Sequence, residues 1–567
     1  MYRNLKQNYP YYKVREISSL REHIDSLAEI YEDRPAYKFK EHGEVKSVSY
    51  RAFKGDVDAF GTGLLDMGLN GKHIAVIGDN SYRWIVSFVS VLLSSGVVVP
   101  IDKELSTEEI QYILSFSDCE AVIYSAGAVE KKIKEIAPNL PNITHYICMT
   151  ESADKDDNHY RLDDIAKRGR ELLDGGDRRY LELKHDIKAL KELLFTSGTT
   201  GRSKAVMLSE ECLVFNINNS YKLMTVTDTA LSVLPYHHAY ESTCGILAMM
   251  LKGITICINE SLRSVLPNFK LYKPTEVLLV PLFVEKVYRG IWDKAEETGK
   301  ADTLRKLIKF SNSLLKMGVD LRKPLFRSVT SVFGGRLKAI VCGGAPIKPS
   351  IAEFFDSIGI PLITGYGITE CGPLISINRP NYHRYDSVGL LMPGMEIKID
   401  NPNENGEGEI CVKGPNVFMG YYKNEEATKQ AIRDGWFHTG DIGKYDGEFI
   451  YITGRLKNII ILKNGKNVYP EEIEEKLSEM CDYIGELVVR AMKDDNDDEK
   501  LLGVEIYPDY ERAKQLGIED VEGSIKKVIS EYNEKAASYK VIKKVVFRTE
   551  EFEKTTTKKI KRKYNDN

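Results

Sequence analysis

The segment that decides the fold class is Leu193-Leu194-Phe195-Thr196-Ser197-Gly198-Thr199-Thr200-Gly201-Arg202-Ser203-Lys204-Ala205-Val206. Its apolar start is typical of the end of a β-strand, and small or hydroxylated residues follow, apart from Arg202, up to a single lysine. Small side chains let backbone N–H groups converge on an anion, and a lysine adds a point charge for an outer phosphate. The Walker spacing G-x-x-x-x-G-K-[ST] cannot be matched, because position 203 is Ser. A Gly-rich string alone is usually a flexible surface loop, but the strand and the lysine favour a polyphosphate-binding loop.

The length and composition of the chain indicate a globular protein of at least two domains. Its 567 residues are too many for one core, and 29% charged and 43% hydrophobic residues are ordinary values. A net charge of −4 argues against a general nucleic-acid binder. Nine cysteines without a C-x-x-C pair predict a reducing compartment and no zinc site. The N-terminus lacks the apolar core of a signal peptide, and serines interrupt the most apolar stretch, so we expect a cytoplasmic protein without a transmembrane segment.

Helical and strand patterns alternate up to about residue 190. Helices are predicted over Ser19–Tyr31 and Ser106–Ser117, and short buried strands over 73–78 and 121–124. Strands that alternate with helices in this way predict an α/β fold with a parallel, doubly wound sheet. The segment from Ser152 to Lys191 is rich in charge and poor in apolar residues, so we expect an insertion or connector there.

A second set of strands follows the phosphate loop. Strands are predicted at 231–234, 277–281 and 337–342, and the last of these runs into Gly343-Gly344-Ala345-Pro346. A strand that ends in a Gly-Gly turn allows backbone to lie flat against a ligand. The intervening segment 301–317 is predicted to be a basic helix with one apolar face.

The composition changes after Gly389. Short strands separated by Gly, Asn and Asp predict a small β subdomain over about 389–456. A compact α+β module with helices at Pro470–Met480 and Val521–Lys535 follows, and it is large enough to fold on its own. We therefore place a boundary near Lys457. The predicted domains are an N-terminal domain, 1–456, and a smaller C-terminal domain, 457–567.

A second Gly-rich string, Gly365-Tyr366-Gly367-Ile368-Thr369-Glu370, has parts that suit a nucleotide. Its spacing fails the dinucleotide fingerprint, so a Rossmann cofactor is not expected. Tyr366 offers a flat face for a purine, Thr369 a hydroxyl for a phosphate, and Glu370 a hard oxygen ligand for Mg²⁺. The alternative is an ordinary Gly-rich turn with a surface Glu.

A third string, 435–443, places Asp441 between two glycines. A carboxylate held in this way can accept hydrogen bonds from both hydroxyls of a ribose. An Asp-Gly pair between strands is, taken alone, more often only a turn. The order of the three strings, followed by Gly454-Arg455-Leu456-Lys457 and Lys554-Thr555-Thr556-Thr557-Lys558-Lys559-Ile560, favours the functional interpretation.

With these motifs in this order, the chain resembles the superfamily of adenylate-forming enzymes, from Phe195 to Ile560. The resemblance implies a large N-terminal domain and a small mobile C-terminal domain, with ATP, Mg²⁺ and CoA as ligands. It assigns a role to each matching residue. The phosphate loop would be formed by Thr196, Ser197, Gly198, Thr199, Thr200, Gly201 and Lys204; the adenine side by Gly344, Ala345, Pro346, Gly365, Tyr366 and Gly367; the phosphate and metal contacts by Thr369 and Glu370; and the ribose and nucleotide contacts by Asp441 and Arg455.

The same resemblance assigns the C-terminal residues that act after nucleotide binding. Lys457 falls on the hinge, and Gly465 on the glycine that lets a pantetheine arm pass. Lys559 falls on the catalytic lysine that bridges carboxylate and α-phosphate. The family usually has Gly before this lysine, where this chain has Lys558, so Lys558 remains the alternative. A solvated basic run is the simpler explanation of this tail. The phosphate loop also departs from the family, with Ser203-Lys204-Ala205 in place of Pro-Lys-Gly, but it keeps the lysine.

The segment Leu234-Pro235-Tyr236-His237-His238-Ala239-Tyr240-Glu241 resembles the Leu-Pro-x-x-His-x-x-Glu string of long-chain fatty acyl-CoA synthetases. On that resemblance His238 would gate the acyl and nucleotide pockets. The two adjacent histidines could instead be metal ligands or plain structural residues, although neighbouring positions rarely share a face and no partner cluster is near in sequence.

The resemblance as a whole implies that ATP activates a medium-chain or long-chain fatty acid to an acyl-adenylate, which CoA then converts to a thioester. The alternatives are transfer to an acyl carrier protein and a non-catalytic nucleotide sensor on the same fold. No nucleic-acid partner is expected. The sequence leaves open the chain length, the oligomeric state and a peripheral membrane contact of the helix at 301–317.

Overall fold

The computed structural model describes residues 4–150, 158–196, 203–461, 467–493, 500–554, 560 and 562. The contacts divide the chain into two compact units, a larger one of 1–396 and 412–437 and a smaller one of 397–411 and 438–567. The predicted β subdomain is therefore divided equally between the two units, with 397–411 and 438–456 packing with the C-terminal residues. Packing does not report which residues move as one body, so the domain boundary near Lys457 stays a prediction.

The strands of both units are short. In chain order they are β1 (Pro35–Glu41), β2 (Glu44–Ser49), β3 (His73–Ile77), β4 (Val97–Ile101), β5 (Cys119–Tyr124), β6 (His145–Cys148), β7 (His159–Arg161), β8 (Leu190–Thr196), β9 (Lys204–Ser209), β10 (Thr229–Ser232), β11 (Thr255–Ile258), β12 (Glu276–Leu279), β13 (Ala339–Cys342), β14 (Leu362–Gly367), β15 (Leu374–Ile377), β16 (Leu390–Leu391), β17 (Glu396–Asp400), β18 (Gly408–Lys413), β19 (Gly420–Tyr421), β20 (Ile432–Arg433), β21 (Trp436–Tyr445), β22 (Ile450–Arg455), β23 (Ile460–Ile461), β24 (Asn467–Val468), β25 (Ile484–Lys493), β26 (Lys500–Pro508) and β27 (Lys544–Phe547).

The helices alternate with the strands. They are α1 (Leu20–Tyr31), α2 (Tyr50–Asp66), α3 (Tyr82–Leu92), α4 (Thr107–Phe116), α5 (Ala128–Ile136), α6 (Leu162–Asp174), α7 (Glu210–Leu223), α8 (Val265–Tyr272), α9 (Pro281–Glu297), α10 (Ala301–Lys316), α11 (Arg322–Leu325), α12 (Arg327–Thr330), α13 (Pro349–Ser357), α14 (Glu425–Ala431), α15 (Pro470–Met480), α16 (Tyr510–Gln515) and α17 (Val521–Lys535), with a π-helix at Tyr240–Ala248.

Two sheets form the centre of the larger unit. An eight-stranded sheet has the order β19-β9-β8-β4-β3-β5-β6-β7, and a nine-stranded sheet has the order β16-β15-β14-β13-β12-β10-β11-β1-β2. The inner pairs of both sheets are parallel, and antiparallel pairs lie toward the edges. The inner strands are buried on both faces, as expected of a sheet with helices on either side. The predicted doubly wound α/β class is confirmed.

Local sequence signals fix the ends of several helices. Ser19 caps α1 by accepting a hydrogen bond from the backbone of Glu22. Ser106 and Glu109 form a reciprocal capping box at the start of α4. Such caps satisfy backbone N–H groups that have no partner within the helix. The predicted helices at these two positions therefore agree with the structure to within one residue.

The described part of 152–191, expected to be an insertion or connector, contains the strand β7 and the helix α6. The helix α6 packs closely against α2, and glycines make that approach possible. A Cβ atom on Gly169 would lie 1.8 Å from the carbonyl oxygen of Ala59, and one on Gly63 would lie 2.4 Å from that of Ile165. All seven charged residues of α6 are exposed, so the charge that suggested a connector concealed a packed helix.

The smaller unit contains most of a five-stranded sheet, including the antiparallel pair β21–β22, and an α+β module. The module has the three-stranded sheet β25-β26-β27 with α15 and α17 against it, and its core includes Val504, Ile473 and Ile525. Both helices agree with the predicted ranges. Among the described residues, no helix is long and apolar enough to cross a membrane.

Candidate active site

Four neighbouring strands of the nine-stranded sheet, β10, β12, β13 and β14, run parallel and end at the same edge. The segments that follow these strands carry residues predicted to be functional, namely His238 after β10, Gly344 after β13 and Thr369 after β14. Ligands of α/β proteins bind outside the carboxyl ends of parallel strands. The topology therefore gathers at one edge residues that span His238 to Thr369 in the sequence.

The phosphate loop connects two strands of the other sheet. Thr196 is the last residue of β8 and pairs with Lys204, the first residue of β9, in an antiparallel register. The Thr196 hydroxyl lies 3.5 Å from the carbonyl oxygen of Lys204. Ser197, Gly198, Thr199, Thr200 and Gly201 lie outside the described residues, and their role stays a prediction. The two ends of the predicted loop are thus set by the sheet itself.

A cation, an aromatic ring and a carboxylate, those of Lys204, Tyr421 and Glu370, lie in a row at the end of this loop. The ammonium of Lys204 lies 4.6 Å from the centroid of the Tyr421 ring. The hydroxyl of Tyr421 donates a hydrogen bond of 2.9 Å to Oε1 of Glu370. Burial and the nearby Glu370 carboxylate raise the pKa of Tyr421, so this tyrosine stays a neutral donor. One ring therefore holds a cation over its face and a carboxylate at its hydroxyl.

Tyr421 was not among the residues predicted from the sequence. It lies in β19, which pairs with β9 so that Tyr421 stands opposite Val206. The backbone of Phe418 also donates a 2.8 Å hydrogen bond to the carbonyl oxygen of Glu370. Phe418 and Glu370 are about fifty residues apart in the sequence, Tyr421 and Val206 more than two hundred, and no local motif marks these contacts.

The Gly-Gly turn after β13 lies against an aromatic ring. The hydroxyl of Tyr240 donates to the carbonyl oxygen of Val341 over 3.2 Å. A Cβ atom on Gly343 would lie 3.4 Å from the Tyr240 ring, and Gly344 has a φ of +87°. Glycine at these two positions therefore allows both the close contact and the left-handed backbone. The predicted contact of Gly344, Ala345 and Pro346 with adenine stays a prediction.

In the Gly365–Glu370 string, the glycines have a packing role. A Cβ atom on Gly367 would lie 2.3 Å from the carbonyl oxygen of Pro373, and one on Gly365 would lie 3.2 Å from that of Ser376. Both positions face the neighbouring strand β15. Tyr366 is only 6% exposed. Its predicted stacking on adenine and the predicted phosphate contact of Thr369 stay predictions.

The two adjacent histidines lie in the turn between β10 and the π-helix. Their rings are 4.1 Å apart, and Nε2 of His237 lies 3.5 Å from Oδ2 of Asp102, the residue after β4. Burial and then the charge of Lys103 lower the pKa of His237 to about 3, so its ring is neutral. His238 is half-buried. The only group of potential metal-ligating side chains among the described residues lies elsewhere and includes neither histidine.

Glu241, in the π-helix, holds this turn in place. Its carboxyl accepts a hydrogen bond from the hydroxyl of Ser232, and its backbone N–H donates to the carbonyl oxygen of His238 over 2.9 Å. Burial raises the pKa of Glu241 to about 8, which keeps it protonated near neutral pH. A Cβ atom on Gly245 would lie 2.7 Å from this carboxyl carbon, so Gly245 provides the space for it. π-Helical segments are rare and often occur at functional sites.

In the smaller unit, Asp441 and Arg455 form a cross-strand pair. They stand opposite each other in β21 and β22, and Nε of Arg455 lies 2.9 Å from Oδ1 of Asp441. Asp441 is buried, whereas Arg455 is exposed. Partial desolvation and then the charge of Arg455 lower the pKa of Lys457, the predicted hinge residue. The three predicted nucleotide-binding or hinge residues of this region therefore influence one another.

A hydrogen-bonded group supports the backbone next to Asp441. Glu409 and Cys411 project from the same face of β18, and Nδ1 of His438 in β21 lies 2.7 Å from Oε2 of Glu409 and 3.2 Å from Sγ of Cys411. The backbone N–H of Gly440 donates to Oε1 of Glu409 over 3.1 Å. The three side chains could hold a metal ion, which the absence of C-x-x-C did not suggest. The prediction of no zinc site stays a prediction.

A family model described as AMP-binding enzyme matches residues 24–422. This chain belongs to the AMP-binding enzyme family. The match begins well before the phosphate loop and ends just after Tyr421. The predicted superfamily of adenylate-forming enzymes is confirmed, and with it the prediction that the chain is an enzyme of the AMP-forming ligase type.

Curated relatives of this AMP-binding enzyme include fatty acid ligases. The chain is 28% identical over 499 residues to the long-chain-fatty-acid–CoA ligase FadD15 of Mycobacterium bovis, with 82% of this chain and 80% of that protein covered. It is 28% identical over 583 residues to the long-chain-fatty-acid–[acyl-carrier-protein] ligase AEE15 of Arabidopsis thaliana, covering 89% and 78%. The solved structure of an ATP-bound RpMatB–BxBclM chimera matches with a TM-score of 0.74, 21% identity and coverage of 96% and 97%, which confirms the fold.

Several predicted residues of this AMP-binding enzyme fall outside the described part of the chain. Besides residues 197–201 of the phosphate loop, they are Gly465 and the two alternatives for the catalytic lysine, Lys558 and Lys559. Their roles stay predictions. In the described part, the structure joins Thr196 to Lys204 and Lys204 to Glu370 through Tyr421 in the larger unit, and Asp441 to Arg455 in the smaller unit.

Proposed function

We propose that this AMP-binding enzyme activates a medium-chain or long-chain fatty acid with ATP and transfers the acyl group to CoA. The observation that carries the proposal is the group Lys204–Tyr421–Glu370 at the end of the phosphate loop. A cation and a carboxylate held on either side of one tyrosine suit a nucleotide triphosphate, because the lysine can neutralise phosphate charge and the carboxylate can bind its counter-ion. The similarity to long-chain fatty acid–CoA ligases supports the choice of acid and acceptor.

In the first step, the loop from Thr196 to Lys204 holds the triphosphate. A carboxylate oxygen of the fatty acid attacks the α-phosphorus, a C–O–P bond forms, and the bond to the β-phosphate breaks. Pyrophosphate leaves with the bonding electron pair. The contribution of the protein is to position the reactants and to stabilise negative charge, with Lys204 near the outer phosphates and Lys559 near the transferring oxygens.

The residues present fit a magnesium ion bound with ATP. Glu370 has a hard carboxylate, and only Oε1 receives the hydrogen bond from Tyr421. Carboxylate oxygens together with substrate phosphates are the ligands that Mg²⁺ prefers. When bound, Mg²⁺ would neutralise phosphate charge. Tyr421 would fix the orientation of the Glu370 carboxylate beside it.

In the second step, the thiolate of CoA attacks the acyl carbonyl carbon, a thioester forms, and AMP leaves. We place Lys457 at the hinge that removes Lys559 between the two steps, and Gly465 at the passage of the pantetheine arm. His238 would separate the acyl side from the nucleotide side. The contacts of Glu241 with Ser232 and with the backbone of His238 would keep that turn in place.

The test is pyrophosphate release from ATP with a panel of carboxylates from acetate to palmitate, with and without CoA. We expect release with medium or long fatty acids and faster turnover with CoA. Lys559→Ala should abolish release, and Lys558→Ala is the matched control that should retain it. The opposite result for the two lysines would move the catalytic role to Lys558. No AMP formation with any carboxylate, despite ATP binding, would contradict the proposal.

A second acceptor has a specific observation in its favour, since one relative is named as an acyl-carrier-protein ligase. The adenylation step would be the same, and a carrier-bound pantetheine would replace CoA. Turnover with a holo acyl carrier protein, compared at equal concentration with free CoA, separates the two. Faster acylation of the carrier protein would favour this second function.

A further inference from the structure

We propose that the end of α10 and the turn after it form a surface that binds anionic lipid bilayers. The surface consists of Lys306, Lys309, Phe310, Lys316, Met317, Val319 and Leu321, and we call it the α10 surface. It lies within the larger unit. Binding to a bilayer requires no catalysis, so this proposal stands apart from the proposed ligase activity.

The α10 surface is not the side of α10 that packs into the protein. Leu304 is buried in the core of the larger unit, and Leu307 and Ile308 pack against the same core. Phe310 and Met317 are nevertheless 54% and 76% exposed. Packing of the helix against the core therefore explains why Leu304, Leu307 and Ile308 are apolar, but it does not explain Phe310 and Met317.

The exposed apolar residues are placed together. With 3.6 residues per turn, positions 306, 310, 313 and 317 follow one stripe of the helix, which puts Phe310 and Met317 on one face two turns apart. The following turn adds Val319 and Leu321, which are 45% and 38% exposed. Exposed turns are usually polar, and an exposed apolar patch marks an interaction site.

The charge of this region identifies the partner. Residues 300–327 contain eight Lys or Arg and two Asp, a net charge of +6, in a chain whose net charge is −4. Asp320, the acidic residue of the turn, is paired with buried Arg322, with Nη2 and Oδ2 3.0 Å apart. The ammonium groups of Lys306, Lys309 and Lys316 are exposed and take part in no ion pair within the described part of the chain. Lysines around exposed Phe and Met are typical of a helix that lies in the interface of an anionic bilayer.

The test is co-sedimentation of the full chain with vesicles of phosphatidylcholine alone and of equimolar phosphatidylcholine and phosphatidylglycerol. We expect binding to the anionic vesicles, weakened by salt, and little binding to the neutral ones. The triple variant K306Q/K309Q/K316Q should bind roughly a hundredfold more weakly, since each lysine contributes about fivefold near such a surface. Phe310→Ser with Met317→Ser should weaken binding at least tenfold.

The matched control is K131Q/K167Q/K429Q, which removes three exposed lysines elsewhere in the larger unit. It should bind within about twofold of the wild type. Equal weakening by both triple variants, or equal binding to both kinds of vesicle, would overturn the proposal. Thermal unfolding checks that each variant folds. Sedimentation velocity tests the alternative that this surface is a subunit interface. In that case the wild type would be a dimer, and the changes at Phe310 and Met317 would convert it to a monomer without changing its binding to vesicles.

Discussion

The hydroxyl of Tyr421 offers a precise test of the candidate site, because a substitution by Phe removes this one oxygen atom and keeps the ring. Tyr421→Phe deletes the 2.9 Å hydrogen bond to Glu370 and keeps the ring on which Lys204 lies. A hydrogen bond to a charged group contributes about 1.5 to 3 kcal/mol. Glu370 is only half-buried, so water can replace part of the loss, and the lower figure applies. We expect kcat/KM for ATP to fall roughly tenfold and the Mg²⁺ requirement to rise.

Removing the ring as well should have a larger effect. Tyr421→Leu loses the hydrogen bond and the contact with Lys204, and a cation–π contact of this kind contributes about 0.5 to 1 kcal/mol. Leu should therefore be roughly two to five times worse than Phe. The assay is pyrophosphate release at varied ATP and Mg²⁺ with a saturating fatty acid.

The neighbouring tyrosine provides the control. Tyr422 also donates a hydrogen bond to a carboxylate, at 2.7 Å from Oδ2 of Asp118, but this carboxylate is not among the proposed site residues. Tyr422→Phe should leave kcat/KM for ATP within about twofold of wild type. Wild-type activity of Tyr421→Phe, or an equal loss of activity in the two Phe variants, would contradict this role of the Tyr421 hydroxyl.

Three further predictions concern the smaller unit, the stability of the sheet and the effect of pH. Asp441→Asn removes the charge that faces Arg455 and should raise the KM for ATP about tenfold, as measured by initial rates. Gly367→Ala would place a Cβ 2.3 Å from a carbonyl oxygen and should destabilise the larger unit by about 1 to 3 kcal/mol in urea unfolding. Gly365→Ala, whose Cβ would lie 3.2 Å from the nearest carbonyl oxygen, should destabilise it less, and equal losses would contradict this account. Burial raises the pKa of Glu192 to about 8, so the folded state keeps a proton that the unfolded state loses from about pH 4.5 upward. Stability should therefore fall by about 2 kcal/mol between pH 6 and 8 in wild type relative to Glu192→Gln, and parallel curves would refute the assignment.

The sequence predicted the elements whose signals are local. Helices were predicted at Ser19 and Ser106, where the structure has helices with serine caps, and the run from Leu193 to Lys204 indicated the end of a strand and a loop. The returning strand β9 was not predicted. Helix α6 was missed because its charge lies on the exposed face while small residues make its contact with α2. The hydrophobic pattern was nevertheless present, since Leu162, Ile165, Leu172 and Leu173 recur at helical spacing on the side of α6 away from its charges.

Those residues of the candidate site that belong to a sequence motif were predictable, and those that join the site only through tertiary contacts were not. Glu370 and Lys204 were identified from their strings, whereas Tyr421 becomes relevant only because β19 pairs with β9. Glu241 ends the segment that resembles the long-chain fatty acyl-CoA synthetase string, but its role in holding the histidine turn depends on burial and on Ser232. The glycines at 365 and 367 pack against the adjacent strand, which their string did not indicate, and their predicted nucleotide contacts stay predictions.

The place of Lys204 at the start of β9 has a consequence for how the loop can change. Since this lysine pairs with Thr196, the sheet determines its position, and the residues that flank it do not. That explains why Ser203 and Ala205 can stand where relatives of the superfamily have Pro and Gly. Substitutions between the two strands would alter the shape of the loop without displacing its cation. A shift in the register of β9 by a single residue, in contrast, would turn Lys204 to the opposite side of the sheet, away from Tyr421. The pair of strands therefore tolerates changes in the residues beside Lys204 better than an inserted or deleted residue within β9.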